Sequence, residues 1–216
     1  MAEIEPVDLS QFVSTLFSTL FVCYDWADNS ALNQELEALL LELEQGQSNK
    51  SVNRSNAGGW QSGGNLMTLD HPAIRQLKQQ VEILTHNLTD QIIRDDGKQR
   101  AFRLVMDGWG NINRRGDYNV VHIHPNCMWS GCYYINPGHP DPTIPQNGLL
   151  ELLDPREAAN YIQIPNTILD GRQFIPCLPG GMLIWPSWLK HMVHPYQGEG
   201  ERISIAYNIN IIEERP

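Results

Sequence analysis

Residues 119–136 read NVVHIHPNCMWSGCYYIN. The first half alternates β-branched residues with histidines, which predicts a β-strand. Side chains two residues apart on a strand point to the same face, so His122 and His124 lie side by side while Val121 and Ile123 point to the other face. Neutral imidazoles are the usual protein ligands for iron, copper, nickel or zinc. The pair therefore predicts two ligands of a metal site.

A third histidine follows a proline-bracketed turn in the segment PSWLKHMVHPY, residues 186–196. His191 is the candidate ligand, and His194, three residues later, is an alternative if the turn is helical. We favour His191, because a metal ligand has to be aimed by a rigid neighbour such as this turn. Just beyond it, GERISIAYNINI alternates like a strand and places Arg202 and Ser204 on one face.

These segments together resemble the iron(II)- and 2-oxoglutarate-dependent oxygenases of the prolyl-hydroxylase-like superfamily. The resemblance is carried by H-x-H, SGCYYIN, GLLELLDPR and W-P-S-x-x-x-H-x-V-x-P followed by G-E-R-I-S. A GGWQS element at residues 58–62 extends it upstream, so that it covers most of the chain. It is closest to a bacterial branch that has H-x-H in place of the usual H-x-D.

The resemblance implies a dioxygenase that hydroxylates a substrate while it converts 2-oxoglutarate to succinate and CO2. It implies Fe(II) bound by three histidines: His122, His124 and His191. The protein would position the substrate and exclude uncoupled oxidation.

Three further residues are implied to hold the 2-oxoglutarate. Arg202 would bind its distal carboxylate, since a planar guanidinium can do so bidentately. Ser204 would add a hydroxyl group, and Tyr134 would lie near the keto acid. Trp60 and Trp129 are candidates for lining a substrate pocket or a lid, and Trp109 and Trp188 are further candidates for the pocket, although aromatic residues are more often part of a core.

The missing carboxylate of H-x-D leaves alternatives open. A three-histidine face would keep Fe(II) more positive, which favours a dianionic keto acid but also changes the choice of metal and its redox potential. Asp154 is the candidate if a carboxylate ligand is required, although aspartate before proline is also a common turn residue. One alternative function is a cupin-like three-histidine metalloenzyme that does not use 2-oxoglutarate. The other is a non-catalytic module that binds a structural zinc or a small ligand.

The chain is predicted to form a single domain, residues 1–216, that is mainly β. Residues 99–216 contain seven short apolar segments separated by turn signals, which predicts a sandwich or barrel, and the resemblance selects the double-stranded β-helix, a jelly-roll, cupin-like fold. Residues 1–98 are predicted to be helical, with a polar lid-like loop at 45–64. Leucines 32, 36, 39, 40 and 43 form one helical stripe, and a second runs from Ile74 to Ile92, so both helices are expected to pack outside the sheets.

The composition limits the partners. A formal net charge of −10 at pH 7 argues against binding to nucleic acid or to an anionic membrane, because phosphate groups are neutralised by clustered Lys and Arg. The four cysteines show no C-x-x-C spacing and no apolar signal segment precedes them, which predicts a cytoplasmic location. We expect a small-molecule or peptide substrate. Because exposed sheet edges often pair, a homodimer is the default oligomer.

Overall fold

The computed structural model describes residues 8, 10–11, 13–46, 55–63, 65–92, 101–159, 164, 167 and 170–214. Two helices lie in the first part of the chain, α1 (Ser30–Gly46) and α2 (Pro72–Ile92), and a 3-10 turn (Leu66–Thr68) precedes α2. Strands contain more of the described residues than helices do, as predicted. The strands are β1 (Val22–Asp25), β2 (Asn56–Ala57), β3 (Trp60–Gln61), β4 (Ala101–Asn113), β5 (Tyr118–His122), β6 (Trp129–Asn136), β7 (His139–Pro140), β8 (Leu150–Leu153), β9 (Arg172–Ile175), β10 (Gly181–Pro186), β11 (His191–Val193), β12 (Gly198–Glu199) and β13 (Arg202–Glu214).

The strands form two main antiparallel sheets. The larger sheet has the order β1-β10-β6-β13-β4-β3, the smaller has the order β2-β5-β11-β8-β9, and β12 pairs with β7 in a short ribbon. Strands that are distant in the sequence are neighbours in both sheets, which is the connectivity of a jelly roll. The prediction of a double-stranded β-helix is therefore confirmed.

The side chains of strand β13 point alternately toward the helices and into the space between the two sheets. Ile203, Ile205, Tyr207 and Ile209 point to the helices and are fully buried. The helices cover this face with apolar stripes, including Leu36 and Leu40 of α1 and Leu77 and Val81 of α2. The residues between them on β13 point into the space between the two sheets. One strand therefore supplies the core on one face and the candidate site on the other.

The helix predictions hold except at the ends. Pro72 is the first residue of α2, where its missing N–H costs nothing, and the side chain of His71 accepts a hydrogen bond from the Ala73 amide at 3.2 Å. Ile92, predicted to point inward, is 40% exposed at the last turn. The sequence Asp95-Asp96-Gly97 predicts the end of this helix, and these residues lie outside the described ones.

The segment 45–64 differs from the predicted loop. Its described part contains Gly46 at the end of α1 and the short strands β2 and β3, which pair with β5 and β4. Residues 47–54 and 64 lie outside the described residues. One of the seven apolar segments, ANYIQI at residues 159–164, also falls mostly outside them. None of the seven segments corresponds to β9.

Candidate metal centre

The three predicted histidines meet between the sheets. His191 in β11 pairs directly with His122 in β5, so the two side chains share a face and their ring centroids lie 4.2 Å apart. His124 follows β5 and is held by a hydrogen bond from its backbone N–H to the Ser187 carbonyl, 3.0 Å. One potential ligand atom from each ring lies within 4.8 Å of the others. The cluster has the separation that a single metal ion requires.

Each ring also has a hydrogen bond on its far side. The Nδ1 atoms of His122, His124 and His191 lie 2.7 to 2.8 Å from oxygen acceptors: the Val120 carbonyl, the Asn208 Oδ1 atom and the Leu189 carbonyl. Because an oxygen acceptor requires an N–H donor, all three rings carry their proton on Nδ1. The three Nε2 atoms therefore present lone pairs, and hydrogen bonds of this kind orient metal-binding histidines.

Burial keeps these rings neutral. Together with a smaller effect of the nearby His122, it lowers the pKa of His191 to about 3 and that of His124 to about 4. The pKa of His122 is also lowered by burial. Neutral imidazole is the form that binds a metal, so the site is ready to do so at neutral pH without losing protons.

The inner face of β13 connects the histidines to the other predicted residues. Arg202, Ser204, Ala206 and Asn208 follow one another on this face. Their direct neighbours across the sheet share it: Asn113 beside Arg202, Asn111 and Tyr134 beside Ser204, Trp109 and Cys132 beside Ala206, and Asp107 and Ser130 beside Asn208. The row of polar residues thus leads from a buried arginine to the histidine cluster.

Arg202 is a buried cation. Its side chain is 2% exposed, its Nε atom donates to the Gly148 carbonyl at 3.0 Å, and the guanidinium lies 5.4 Å from the centre of the Tyr134 ring. Burial raises the pKa of the nearby Cys132 and Cys177 thiols to about 12 and about 11, so both stay neutral. No carboxylate among the described residues pairs with Arg202. A buried charge of this kind requires an anion.

Two connected spaces surround the histidines. The inner chamber is lined by His122, His124, His191, Arg202, Ser204 and Tyr134, together with Asn111, Cys132 and Trp185. The outer cleft has a volume of about 750 Å³ and is lined by Gln61, Ser62, Asn65, Asp107, Trp109 and Asn208 among others. His122, His124, Trp109 and Ser55 line both spaces. A metal ion at the histidines would therefore face the chamber on one side and the cleft on the other.

The two alternative ligands are engaged elsewhere. Alternation along β11 points His191 and Val193 inward and His194 outward, where its Nε2 atom contacts the buried Glu151 carboxylate at 2.6 Å. Asp154 accepts hydrogen bonds from the backbone and side chain of Arg156, the latter from Nε at 3.0 Å. Neither residue belongs to the histidine cluster.

Trp60 and Trp129 lie on the face of the larger sheet that packs against the helices, not on the face that borders the histidines. Trp60 pairs with Ile112, and Trp129 shares its face with Tyr133, so both are buried in the core beneath the helices. The prediction that they line a pocket or lid is therefore corrected. Trp109, another of the predicted pocket residues, does lie at the site, with its ring stacked on His124 at 5.5 Å and an interplanar angle of 17°.

Asn208 and Gln61 are site residues that the motif analysis missed. The signal for Asn208 was available, since it follows Arg202, Ser204 and Ala206 at intervals of two. Gln61 is the neighbour of Trp60 and points to the opposite face, where its Nε2 atom donates to Asn111 Oδ1 at 3.1 Å.

No helix among the described residues is long and apolar enough to span a membrane. Residues 107–208 match a family described as “Putative 2OG-Fe(II) oxygenase”. That span includes the three histidines, Arg202 and Asn208. No curated protein sequence matches the chain.

Solved structures show a similar fold. A Pseudomonas putida prolyl-4-hydroxylase is 13% identical with a TM-score of 0.61, over 88% of this chain and 91% of the hydroxylase. HygX from Streptomyces hygroscopicus, crystallised with nickel and 2-oxoglutarate, is 14% identical with a TM-score of 0.59, over 89% and 83% of the two chains. A Trichoplax adhaerens prolyl hydroxylase, crystallised with a peptide of hypoxia inducible factor, is 16% identical with a TM-score of 0.58, over 88% and 83%.

Proposed function

Because residues 107–208 match the family described as “Putative 2OG-Fe(II) oxygenase”, we propose that the chain is a member of it, that its histidine cluster binds Fe(II) and that its inner chamber binds 2-oxoglutarate. The enzyme is an oxidoreductase of the prolyl-hydroxylase-like group. When bound, Fe(II) and 2-oxoglutarate supply the oxidation chemistry, in which dioxygen is consumed and succinate and CO2 are released. The residues of the chain bind, orient and enclose the reactants.

One observation carries the metal assignment. One potential ligand atom from each of His122, His124 and His191 lies within 4.8 Å of the others, and each of the three Nδ1 atoms donates to an oxygen, which leaves Nε2 as the metal-binding atom. Three neutral nitrogen ligands on one side leave further coordination positions open, as a catalytic centre needs. The set contains no carboxylate, so the protein ligands offset none of the charge of the ion, and a carboxylate of the co-substrate would offset part of it.

Arg202 supports the assignment of the co-substrate. In the inner chamber, 2-oxoglutarate would present one carboxylate and its keto oxygen to the metal and its distal carboxylate to the buried guanidinium. Ser204 lies next to Arg202 on the same face and can donate its hydroxyl to that carboxylate. Tyr134 lines the chamber beside Ser204 and its ring covers the guanidinium. A dianion would thus offset two of the three positive charges that Fe(II) and Arg202 carry together.

The outer cleft is the proposed substrate site. Its lining is rich in amide and hydroxyl groups and contains Asp107 but no Lys or Arg, so it suits a small molecule or a peptide rather than nucleic acid. The known relatives include proteins crystallised with a peptide and with hygromycin B. We keep the cytoplasm as the proposed location, because all four cysteines are free thiols, and the homodimer as the proposed oligomer.

The test is an anaerobic titration of metal-free protein with Fe(II) and then with 2-oxoglutarate. A weak visible charge-transfer band should appear when the keto acid chelates the iron. We expect this band to be lost in His124→Ala and to appear in Arg202→Ala only at much higher concentrations of 2-oxoglutarate. Iron binding without a band in the wild type would favour a three-histidine metalloenzyme that does not use 2-oxoglutarate, and no iron binding would contradict the metal site itself.

A further inference from the structure

Asn208 contacts the metal centre without being one of its ligands. It lies in the middle of the larger sheet on β13, and its Oδ1 atom accepts a hydrogen bond from His124 Nδ1 at 2.7 Å. The same oxygen accepts a second hydrogen bond from the Ser130 hydroxyl at 3.2 Å. Ser130 is the direct neighbour of Asn208 across the sheet and is fully buried.

The two donors determine which way the carboxamide points. An amide side chain can exchange its oxygen and nitrogen by a rotation of 180°, and the flipped form would place an N–H group against the N–H of His124. Ser130 favours the form in which oxygen faces both donors. The amide nitrogen of Asn208 then has no hydrogen-bond partner among the described residues, and the side chain lines the outer cleft.

The orientation of the His124 ring depends on a more distant residue than the orientations of the His122 and His191 rings do. The rings of His122 and His191 are held by carbonyls two residues away in their own segments, Val120 and Leu189. His124 lies beyond the end of β5 and its ring is held by a residue from a distant strand. Its orientation is therefore set by the position of β13, which also carries Arg202.

We propose that Asn208, kept in orientation by Ser130, is the positioning residue that fixes the protonation and direction of His124 for metal binding. This inference rests on the proposed metal site and adds a residue to it. A partner of this kind contributes to metal affinity, typically about 10- to 100-fold.

The probe for the test is Co(II), whose visible absorption reports both the dissociation constant and the ligand geometry. We expect Asn208→Leu, which keeps the size of the side chain but removes the acceptor, to weaken Co(II) binding about 10- to 100-fold and to change the absorption spectrum. Asn208→Asp should bind Co(II) at least as tightly as the wild type, because both of its oxygens are acceptors. The substitution also breaks no hydrogen bond that the structure describes.

The variant Ser130→Ala tests whether Ser130 orients the amide of Asn208 or only contributes to packing. We expect it to weaken Co(II) binding in the wild type, since the amide can then flip, but to have no effect in the Asn208→Asp background, where both orientations are equivalent. The matched control is Asn210→Ala, an asparagine on the same strand whose amide contacts the Asn126 carbonyl instead. It should bind Co(II) like the wild type.

The results distinguish the inference from the site on which it rests. Wild-type binding with equal dissociation constants for Asn208→Leu and Asn210→Ala would overturn the role of Asn208 and leave the metal site intact. If Ser130→Ala weakens Co(II) binding equally in the wild-type and the Asn208→Asp backgrounds, Ser130 does not act by orienting the amide of Asn208. This comparison also tests the inference if Asn208→Leu does not fold. A wild-type protein that binds no Co(II) would instead contradict the metal site.

Discussion

The Nε2 atoms of His124 and His191 lie 3.2 Å apart, although both rings donate through Nδ1 and therefore direct lone pairs at each other. Two lone pairs at this distance repel each other unless a cation or a proton lies between them. Protonation is disfavoured, because burial lowers the pKa of both rings. A divalent metal ion is the partner that relieves this contact at neutral pH.

The first prediction concerns the choice between His191 and His194. We expect His191→Ala to abolish stoichiometric binding of Fe(II), because it removes one of three ligands. His194→Ala should still bind one Fe(II) per chain, since that ring points out of the barrel toward Glu151. Metal content after anaerobic loading and desalting measures both. Loss of iron from His194→Ala with retention in His191→Ala would contradict the proposed ligand set.

The second prediction concerns the buried cation. Arg202→Ala should weaken the binding of 2-oxoglutarate to the iron-loaded protein by about 2–5 kcal/mol, because the distal carboxylate would be buried without a partner. The affinity for iron itself should change little. Titration of the charge-transfer band gives the dissociation constant, and Arg156→Ala, at an exposed ion pair with Asp154, is the control. Unchanged affinity in Arg202→Ala would show that the keto acid binds elsewhere.

The third prediction concerns the carboxylate that the proximal motif lacks. Asp154→Asn should leave the binding of both iron and 2-oxoglutarate unchanged, because Asp154 contacts Arg156 and lies outside the histidine cluster. Any effect on stability should be within about 1 kcal/mol, because the Arg156 partner is exposed and asparagine keeps an acceptor oxygen. Parallel titrations of the variant and the wild type test this. A large loss of iron affinity would show that Asp154 is recruited when the metal binds.

The fourth prediction concerns acid stability of the metal-free protein. The pKa of His124 is about 4 and that of His191 about 3 in the folded state, against about 6.5 for histidine in an unfolded chain. Above pH 6.5 both states are neutral, so these rings do not make stability depend on pH. Between pH 6.5 and 4 the unfolded chain binds the protons first, and each ring removes up to about 1.4 kcal/mol of unfolding free energy per pH unit.

Urea unfolding between pH 7.5 and 4.5 measures this slope. The control is the double variant His124→Gln/His191→Gln, which lacks both titrating rings and should show a shallower dependence. Equal slopes in the two proteins would show that the rings are protonated in the folded state.

The fifth prediction concerns packing around the site. A Cβ atom at Gly131 would lie 2.4 Å from the Leu183 carbonyl and 2.2 Å from the Tyr207 ring. We expect Gly131→Ala to lower the free energy of unfolding by about 1–3 kcal/mol, because neighbouring strands would have to move. Gly46→Ala is the control, since a Cβ there meets nothing within 4 Å. Thermal unfolding of both variants should place only the first below the wild type.

The alternation of strands was sufficient to predict much of the site. It placed His122 and His124 together, and Ser204 beside Arg202, because neighbours two apart on a strand share a face. The same rule places Trp60 and Gln61 on opposite faces of the sheet, and likewise Trp129 and Ser130, but alternation alone does not show which face borders the site. Aromatic residues next to a motif were instead expected in the pocket, whereas their apolar rings are buried under the helices.

Other features depend on pairing between distant segments. His191 rather than His194 joins the cluster because of the register between β11 and β5. Strand β11 has only three residues, which is too short to produce a periodic pattern in the sequence. The hydrogen bond from His124 to Asn208 joins residues 84 positions apart. Such contacts are set by tertiary structure, so local patterns do not reveal them.

Strand β13 carries Arg202 and Asn208 on one face and is paired with β4 along its whole length. The two residues are six positions apart, so their common face depends on an even number of intervening steps. Deleting or inserting a single residue between them would turn one of the two toward the helices. Natural variation between the two residues is therefore expected to change the length of this stretch only by an even number of residues, and an odd difference would mark a homologue that has lost either its co-substrate anchor or its histidine support.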